Sequence, residues 1–152
     1  MAPTLRRATA PDADAIRDLV TAAYEGYIPL LGRTPIPMLA DYHEAVRVHD
    51  VWVLDDGDAG IVGVIELIPH PDHVYVENVA IAPERQGQGL GRQLLDLADR
   101  EARARGLTEI GLLTNERYTS NIAMYERYGF VETHRTPHLG SDLVHFRKTL
   151  SG

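Results

Sequence analysis

Residues 79–92 read Val79-Ala80-Ile81-Ala82-Pro83-Glu84-Arg85-Gln86-Gly87-Gln88-Gly89-Leu90-Gly91-Arg92. An apolar run ends at Pro83, glycines stand at 87, 89 and 91, and a long amphipathic pattern begins at Leu90. This reads as a strand that passes through a glycine loop directly into a helix. The arrangement suits a diphosphate. Glycine has no Cβ to hold an anion off the main chain, so backbone N–H groups approach it closely. The first turn of the helix adds N–H donors without intrahelical partners and the positive end of the helix dipole. Two other phosphate-binding patterns are excluded. No Gly-Lys-Ser/Thr follows, as a P-loop needs. Arg92 stands where the last glycine of a dinucleotide fingerprint belongs. A glycine triplet alone is equally compatible with a flexible turn at a helix start.

Downstream, Leu90, Leu94, Leu97, Ala98 and Ala102 share one helix face, and Gly106 stops that helix. Residues 109–114 read as a buried strand. Residues 118–127 read as a helix with Ile122, Met124 and Tyr125 inward and Gly129 as its cap. Residues 131–135 and 143–149 read as closing strands, joined by a loop over 137–142. Upstream, residues 73–81 form a strand. Val74, Val76, Asn78 and Ala80 share one parity, and Tyr75, Glu77, Val79 and Ile81 share the other. Turn chemistry at 69–72 and 55–60 joins this strand to 61–68 and that one to 51–55. At the start, residues 4–9 read as a strand. Asp12 or Asp14 then caps a helix that carries Ile16, Leu19, Val20 and Ala23 at helical spacing.

Residues 24–42 read differently. Gly26, Pro29, Gly32, Pro35 and Pro37 break regular structure. Yet Tyr24, Tyr27, Leu30, Leu31, Met38 and Tyr42 make the segment too apolar for a solvated linker, so it is expected to pack over a pocket. A short helix over 37–48 follows. Early hairpins predict antiparallel pairing, and the later strand–helix–strand predicts a parallel pair. The expectation is a single mixed α/β domain over 1–152, with a twisted mixed sheet of about six or seven strands and helices on both faces.

Of 152 residues, 44% are hydrophobic and 24% charged, which is ordinary globular composition. The chain has no cysteine, which excludes a disulfide scaffold, a cysteine zinc site and a cysteinyl acyl-enzyme. The 22 acidic residues exceed the 15 basic ones, for a net charge of −7, and no block of like charges gives a nucleic-acid footprint. No apolar run approaches the roughly 18 residues of a membrane helix. The first residues lack the apolar core of a secretory signal. A soluble cytoplasmic protein without nucleic-acid or membrane partners is expected. Lys148 is the only lysine, and all other basic residues are arginine. Genome composition explains this bias; avoidance of self-acylation is the functional alternative.

Two motifs narrow the reading. Gln86-Gly87-Gln88-Gly89-Leu90-Gly91 fits the signature Gln/Arg-x-x-Gly-x-Gly/Ala after a strand and a proline. Asn121-Ile122-Ala123-Met124-Tyr125-Glu126-Arg127-Tyr128-Gly129-Phe130 fits a second signature of an asparagine, a Tyr-Glu pair and Gly-Phe. With both, residues 51–130 resemble the GCN5-related N-acetyltransferases, or GNAT family, and the flanking element order resembles it too. The resemblance implies acetyl-coenzyme A as co-substrate, no metal, and an acceptor that is the primary amine of a small molecule or peptide. It implies that the pantetheine arm pairs with the main chain of Val79, Ala80 and Ile81 as an added strand. The gap for it would open where this strand splays from 109–114. The pyrophosphate would lie on Gly87, Gln88, Gly89, Leu90, Gly91 and Arg92, with Gln86 at the rim. Arg85 and Arg92 would add positive charge there, or stand as solvated surface arginines.

The family's matching tyrosine lies near the coenzyme A sulfur, which makes Tyr125 the general acid or hydrogen-bond donor for the leaving thiolate. A core aromatic is the structural alternative. Asn121 lies four residues earlier, on the same helix face, and would bond the pantetheine or orient the tyrosine. Many family members carry that asparagine seven residues before the tyrosine, where this chain has Tyr118. Glu77 shares parity with Val79 and is the candidate base for the amine, with Glu66 or a water chain in reserve. The alternative for Glu77 is a salt-bridged or strand-edge glutamate. His70 and His73 read as surface residues. The lack of cysteine favours direct attack by the amine over a cysteine relay. Residues 24–42 and 135–142 would wall the acceptor site, whose tyrosines and aliphatics suit an amphipathic or aromatic amine, or a peptide N-terminus. A homodimer is common in the family and demanded by no residue here. The rival reading is a non-catalytic acyl-coenzyme A sensor of the same fold; a longer acyl donor is a third.

Overall fold

In the computed structural model, which describes residues 2–151, seven strands form one sheet in the order β1-β2-β3-β4-β5-β7-β6. They are β1 (Thr4–Arg7), β2 (Asp50–Asp55), β3 (Ile61–Pro69), β4 (Val74–Ile81), β5 (Glu109–Asn115), β6 (Val131–His138) and β7 (Ser141–Thr149). The helices are α1 (Ala13–Tyr24), α2 (Ile28–Leu31), α3 (Tyr42–Val48), α4 (Leu90–Ala104) and α5 (Thr119–Arg127). Every neighbouring pair is antiparallel except β4 with β5. This is the mixed sheet that the hairpins and the strand–helix–strand unit predict. In β3 every residue from Val62 to Leu67 is buried, on both parities. A strand buried that way needs cover on both faces, and α1 and α4 both pack against β3 and β4. Among the described residues no helix is long and apolar enough to cross a membrane.

Helix α1 buries Ala13, Ile16, Leu19, Val20 and Tyr24. Of its two candidate caps, Asp12 is the one that precedes it, but its side chain makes no hydrogen bond to the first turn. The Asp12 carboxylate accepts from the Thr9 N–H at 2.7 Å and from the Arg6 guanidinium at 2.8 and 3.0 Å. Those bonds, Arg6 first, hold its carboxyl well below the usual carboxylate range. Helix α4 stops as read. Gly106 has φ +71°, and Leu107 N–H donates back to Ala102 at 2.9 Å.

Four local expectations change. The helix over 37–48 splits. A 3-10 turn over Ile36–Leu39 comes first, and α3 starts only at Tyr42, because the Asp41 side chain accepts from Glu44 N–H at 3.2 Å and caps it there. The loop over 137–142 shrinks to Leu139-Gly140, with φ +48° and +87°. Positive φ at both turn positions matches the twist of the strands, so the ladder runs to the tip. Pro137 is tolerated because β6 is an edge strand. In α5 only Tyr125 is fully buried, while Ile122 and Met124 are half-buried.

The fourth change falls on the site. The β3–β4 register moves from Glu66↔Asn78 to Leu67↔Val76, so Glu77 is an extra residue in β4. This β-bulge breaks the alternation on which the shared parity of Glu77 and Val79 rested. Asn78, Val79 and Ala80 are all buried in succession, whereas Glu77 is exposed. At the same place β4 leaves β5. Their pairing covers only Val74↔Ile110, Tyr75↔Gly111 and Val76↔Leu112. The flanking ladders continue, β3–β4 as far as Gly63↔Ile81 and β5–β7 as far as Asn115↔Leu143. The sheet therefore opens between two strands that stay anchored on their outer sides.

Candidate active site

Two cavities meet at this opening. The first, about 410 Å³, lies between the end of β4, the glycine loop, the start of α4 and α5. Val79, Ala80, Ile81, Gln86, Gly87, Gly89, Leu90, Gly91, Arg92 and Asn121 line it. These are the residues predicted for the coenzyme, with one exception: Gln88 is not among the residues that line the cavity. Tyr118, which holds the alternative asparagine position, lines the other cavity instead. There it packs on Tyr27 and Tyr24 at ring distances of 4.3 and 5.8 Å.

The glycines act through the backbone. Gly87 and Gly89 have φ +83° and +80°, and a Cβ at either would meet nothing within 4 Å. The left-handed conformation is what requires glycine there. Gly91 differs, since its Cβ would come within 3.0 Å of Met124 Sδ on α5. The first bond of α4 runs from Gln93 N–H to the Gly89 carbonyl at 3.1 Å, so the N–H groups of Leu90, Gly91 and Arg92 have no intrahelical partner. Together with the β4 edge that β5 has left, these donors fit a pantetheine diphosphate. Arg85, in contrast, is ion-paired with Asp56. The Arg92 guanidinium lies over Tyr128 at 5.8 Å.

The second cavity, about 360 Å³, is roofed by residues 24–42, as the apolar character of that segment predicts. Its floor is β4 and β5, and the β6–β7 hairpin contributes His138 and Leu143. Tyr24 and Val79 line both cavities, so that is where they join. Tyr125 lines the second cavity and packs edge-on against Phe130 at 5.8 Å and against Phe146 at 6.2 Å. Burial, reinforced by Tyr27 and Tyr75, raises its pKa well above that of an ordinary tyrosine. Its hydroxyl therefore remains a hydrogen-bond donor across the working pH range.

Glu77 also faces the second cavity. Although the residue as a whole is exposed, the cavity wall partly desolvates its carboxyl, and this, reinforced by Glu66 and offset by His49, raises it above the ordinary value. Glu66 is 5% exposed, and its Oε2 lies 2.5 Å from His49 Nδ1. Sequence reading missed His49, whose only signal is a histidine between a helix and an apolar strand. It also missed a buried network. Tyr24 hydroxyl donates to Asn78 Oδ1 at 3.1 Å and reaches the Val79 carbonyl at 3.4 Å. Asn78 Nδ2 donates to Tyr42 Oη at 3.1 Å, and Tyr42 donates to the Pro37 carbonyl at 2.6 Å. An asparagine inside an apolar strand was the available clue. His70 and His73 stack on each other at 4.7 Å and lie outside both cavities.

The family model described as the acetyltransferase (GNAT) family matches residues 13–130. The chain is similar to the amino-acid acetyltransferase of Mycobacterium tuberculosis, 32% identical over 138 residues that make up 89% of this chain and 72% of that protein. It is also similar to the mycothiol acetyltransferase of Catenulispora acidiphila, 35% identical over 92 residues, 60% of this chain. That match spans only 24% of the longer relative. Among solved structures, it superposes on the PaiA N-acetyltransferase of Thermoplasma acidophilum in complex with coenzyme A, with TM-score 0.82 at 16% identity, covering 98% of this chain and 99% of that one. At that identity the likeness is one of fold.

Proposed function

Because the chain belongs to the acetyltransferase (GNAT) family, we propose that it moves an acetyl group from acetyl-coenzyme A directly to a primary amine of a small molecule or peptide. The observation that carries this reading is the meeting of two cavities at Val79, beside Tyr125, where β4 has left β5. A donor in one cavity and an acceptor in the other would come together there, which is the proximity that bimolecular transfer needs.

Bound acetyl-coenzyme A supplies a thioester whose sulfur departs with negative charge. Val79, Ala80 and Ile81 offer their main-chain groups to the pantetheine arm. Residues 87–92 offer backbone donors to the diphosphate, with Gln86 at the rim, and Asn121 offers its amide to the arm. Tyr125 donates its hydroxyl hydrogen bond to the departing sulfur. Glu77 takes the proton from the incoming ammonium, so that a neutral amine attacks. Its raised pKa moves it toward the pH of that task. Glu66 supplies the neighbouring negative charge, and His49 holds Glu66 in place. The relative whose name specifies amino acids supports small amines as acceptors.

The test is a panel of amines with acetyl-coenzyme A, read as thiol release and as acetylated product by mass. Amine-dependent release above hydrolysis is expected. Saturable coenzyme binding with no transfer to any amine would overturn the proposal and leave a binding module.

A further inference from the structure

We infer that the acceptor carries a carboxylate as well as its amine, and that Arg33 and His138 hold that carboxylate on the far wall of the second cavity. The inference rests on the transfer reading and adds the chemical class of the acceptor.

The cavity is bipolar. Glu66 and Glu77 reach it from β3 and β4, while His138 reaches it from β6 and Arg33 from the segment after α2. The strand order puts β3 and β4 on one side of the opening and β7 and β6 on the other. An ammonium is drawn to the carboxylate side and an anion to the opposite one. Apolar side chains, Leu31 and Leu143 among them, share the lining and suit an aliphatic chain. A volume of about 360 Å³ is that of a small-molecule site.

The far wall holds groups with unused hydrogen-bonding capacity. His138 Nε2 is buried and has no hydrogen-bond partner among the described residues. A buried polar atom left that way costs stability unless a ligand completes it. Arg33 donates from Nη1 to the Leu139 carbonyl at 2.9 Å, its one hydrogen bond among the described residues. That bond fixes the side chain, and the rest of the guanidinium fork stays available for a planar carboxylate. Its charge is felt at Tyr118, a lining residue whose pKa it lowers against the effect of burial. Arg117 is spent differently. It donates to the carbonyls of Leu30 at 2.8 Å and Gly140 at 3.4 Å, and so straps the hairpin tip to α2. The wall that carries Arg33 and His138 is thereby held in position before a ligand arrives.

The experiment compares kcat/KM for matched pairs at equal free-amine concentration: leucine against isopentylamine, and 5-aminopentanoate against pentylamine. At least one aminocarboxylate is expected to exceed its plain amine by about 10-fold or more, the scale of a hydrogen bond to a charged group. Arg33→Gln and His138→Leu should each bring that ratio toward one, chiefly through KM for the aminocarboxylate. Retention of the acetyl-coenzyme A-induced thermal shift certifies that each variant is folded. If Arg33→Gln loses the hairpin contact and fails that check, His138→Leu carries the test. Ratios at or below one in both pairs, with the plain amines acetylated, would overturn the inference and leave acetyl transfer standing. A ratio unchanged in the folded variants would overturn the assignment to these residues. No transfer to any of the four compounds overturns the inference, and the wider amine panel then decides the transfer reading separately.

Discussion

Replacing Tyr125 by phenylalanine changes one atom of the proposed site. The ring contacts with Phe130 at 5.8 Å and Phe146 at 6.2 Å survive the change, so stability should move by no more than about 1 kcal/mol. What disappears is the donor for the departing sulfur. A thiol titrates near 8.5 and an ordinary tyrosine near 10, and burial raises Tyr125 further. Complete proton transfer to the thiolate is therefore more uphill than reference values suggest, and the tyrosine acts by holding a hydrogen bond. A hydrogen bond to a charged group contributes about 1.5–3 kcal/mol. At about 1.36 kcal/mol per decade, kcat should fall about 10- to 150-fold. The assay is steady-state thiol release at saturating amine across a range of acetyl-coenzyme A concentrations. KM for acetyl-coenzyme A should move much less than kcat. Because the phenol stays protonated, the ratio of wild-type to variant kcat should be flat from about pH 7 to 9.5. A variant with kcat within about twofold of wild type would refute the role, since not even one neutral hydrogen bond would then be lost.

Glu77→Gln should remove the acid limb of the kcat/KM profile while acetyl-coenzyme A still binds; an unchanged profile would take Glu77 out of the base role. The same variant has a stability signature. The folded-state pKa of Glu77 is raised, so the wild-type glutamate favours the fold below its unfolded pKa and loses that contribution as pH rises through the folded one. Glu77→Gln should therefore melt higher than wild type near pH 7, with the difference gone below about pH 4; a lower melting point near pH 7 would contradict the raised pKa. Gly89→Ala forces a side chain into φ +80° with no steric contact, so its cost is backbone alone, about 1–2 kcal/mol. That lowers Tm by about 2–8 °C and should weaken acetyl-coenzyme A binding; a wild-type Tm would show that the left-handed turn is not required.

The cleft proposed for the coenzyme was legible as a strand, glycine loop and helix start because that pattern is local. The glycine loop runs without a break from β4 into α4, and its donors belong to the backbone, so residue order alone carries the signal. The helix faces of α1 and α4 were legible for the same reason, since one strand of sequence holds their whole period. The bulge at Glu77 was not, because a bulge is a mismatch in count between two strands, and β4 alone reads as perfect alternation. The hairpin tip was misread because Pro137 looks like a loop residue until β6 is known to be an edge. The second cavity was least legible. His49 and Glu66 meet only after α3 is packed against β2, and Tyr24, Asn78 and Tyr42 come from three separate segments. The tyrosines and prolines of 24–42 announced a roof over a pocket, but the polar groups facing that pocket came from elsewhere in the chain.

We propose that the opening between β4 and β5 is an acetyl-coenzyme A site. A thermal-unfolding titration with acetyl-coenzyme A, with acetate and ATP as controls, tests it most directly. A ligand at about 100 times its Kd stabilises the fold by about 2.7 kcal/mol, enough to raise the midpoint by several degrees. A saturable rise with acetyl-coenzyme A and none with the controls is expected. No rise at millimolar acetyl-coenzyme A would contradict the proposal.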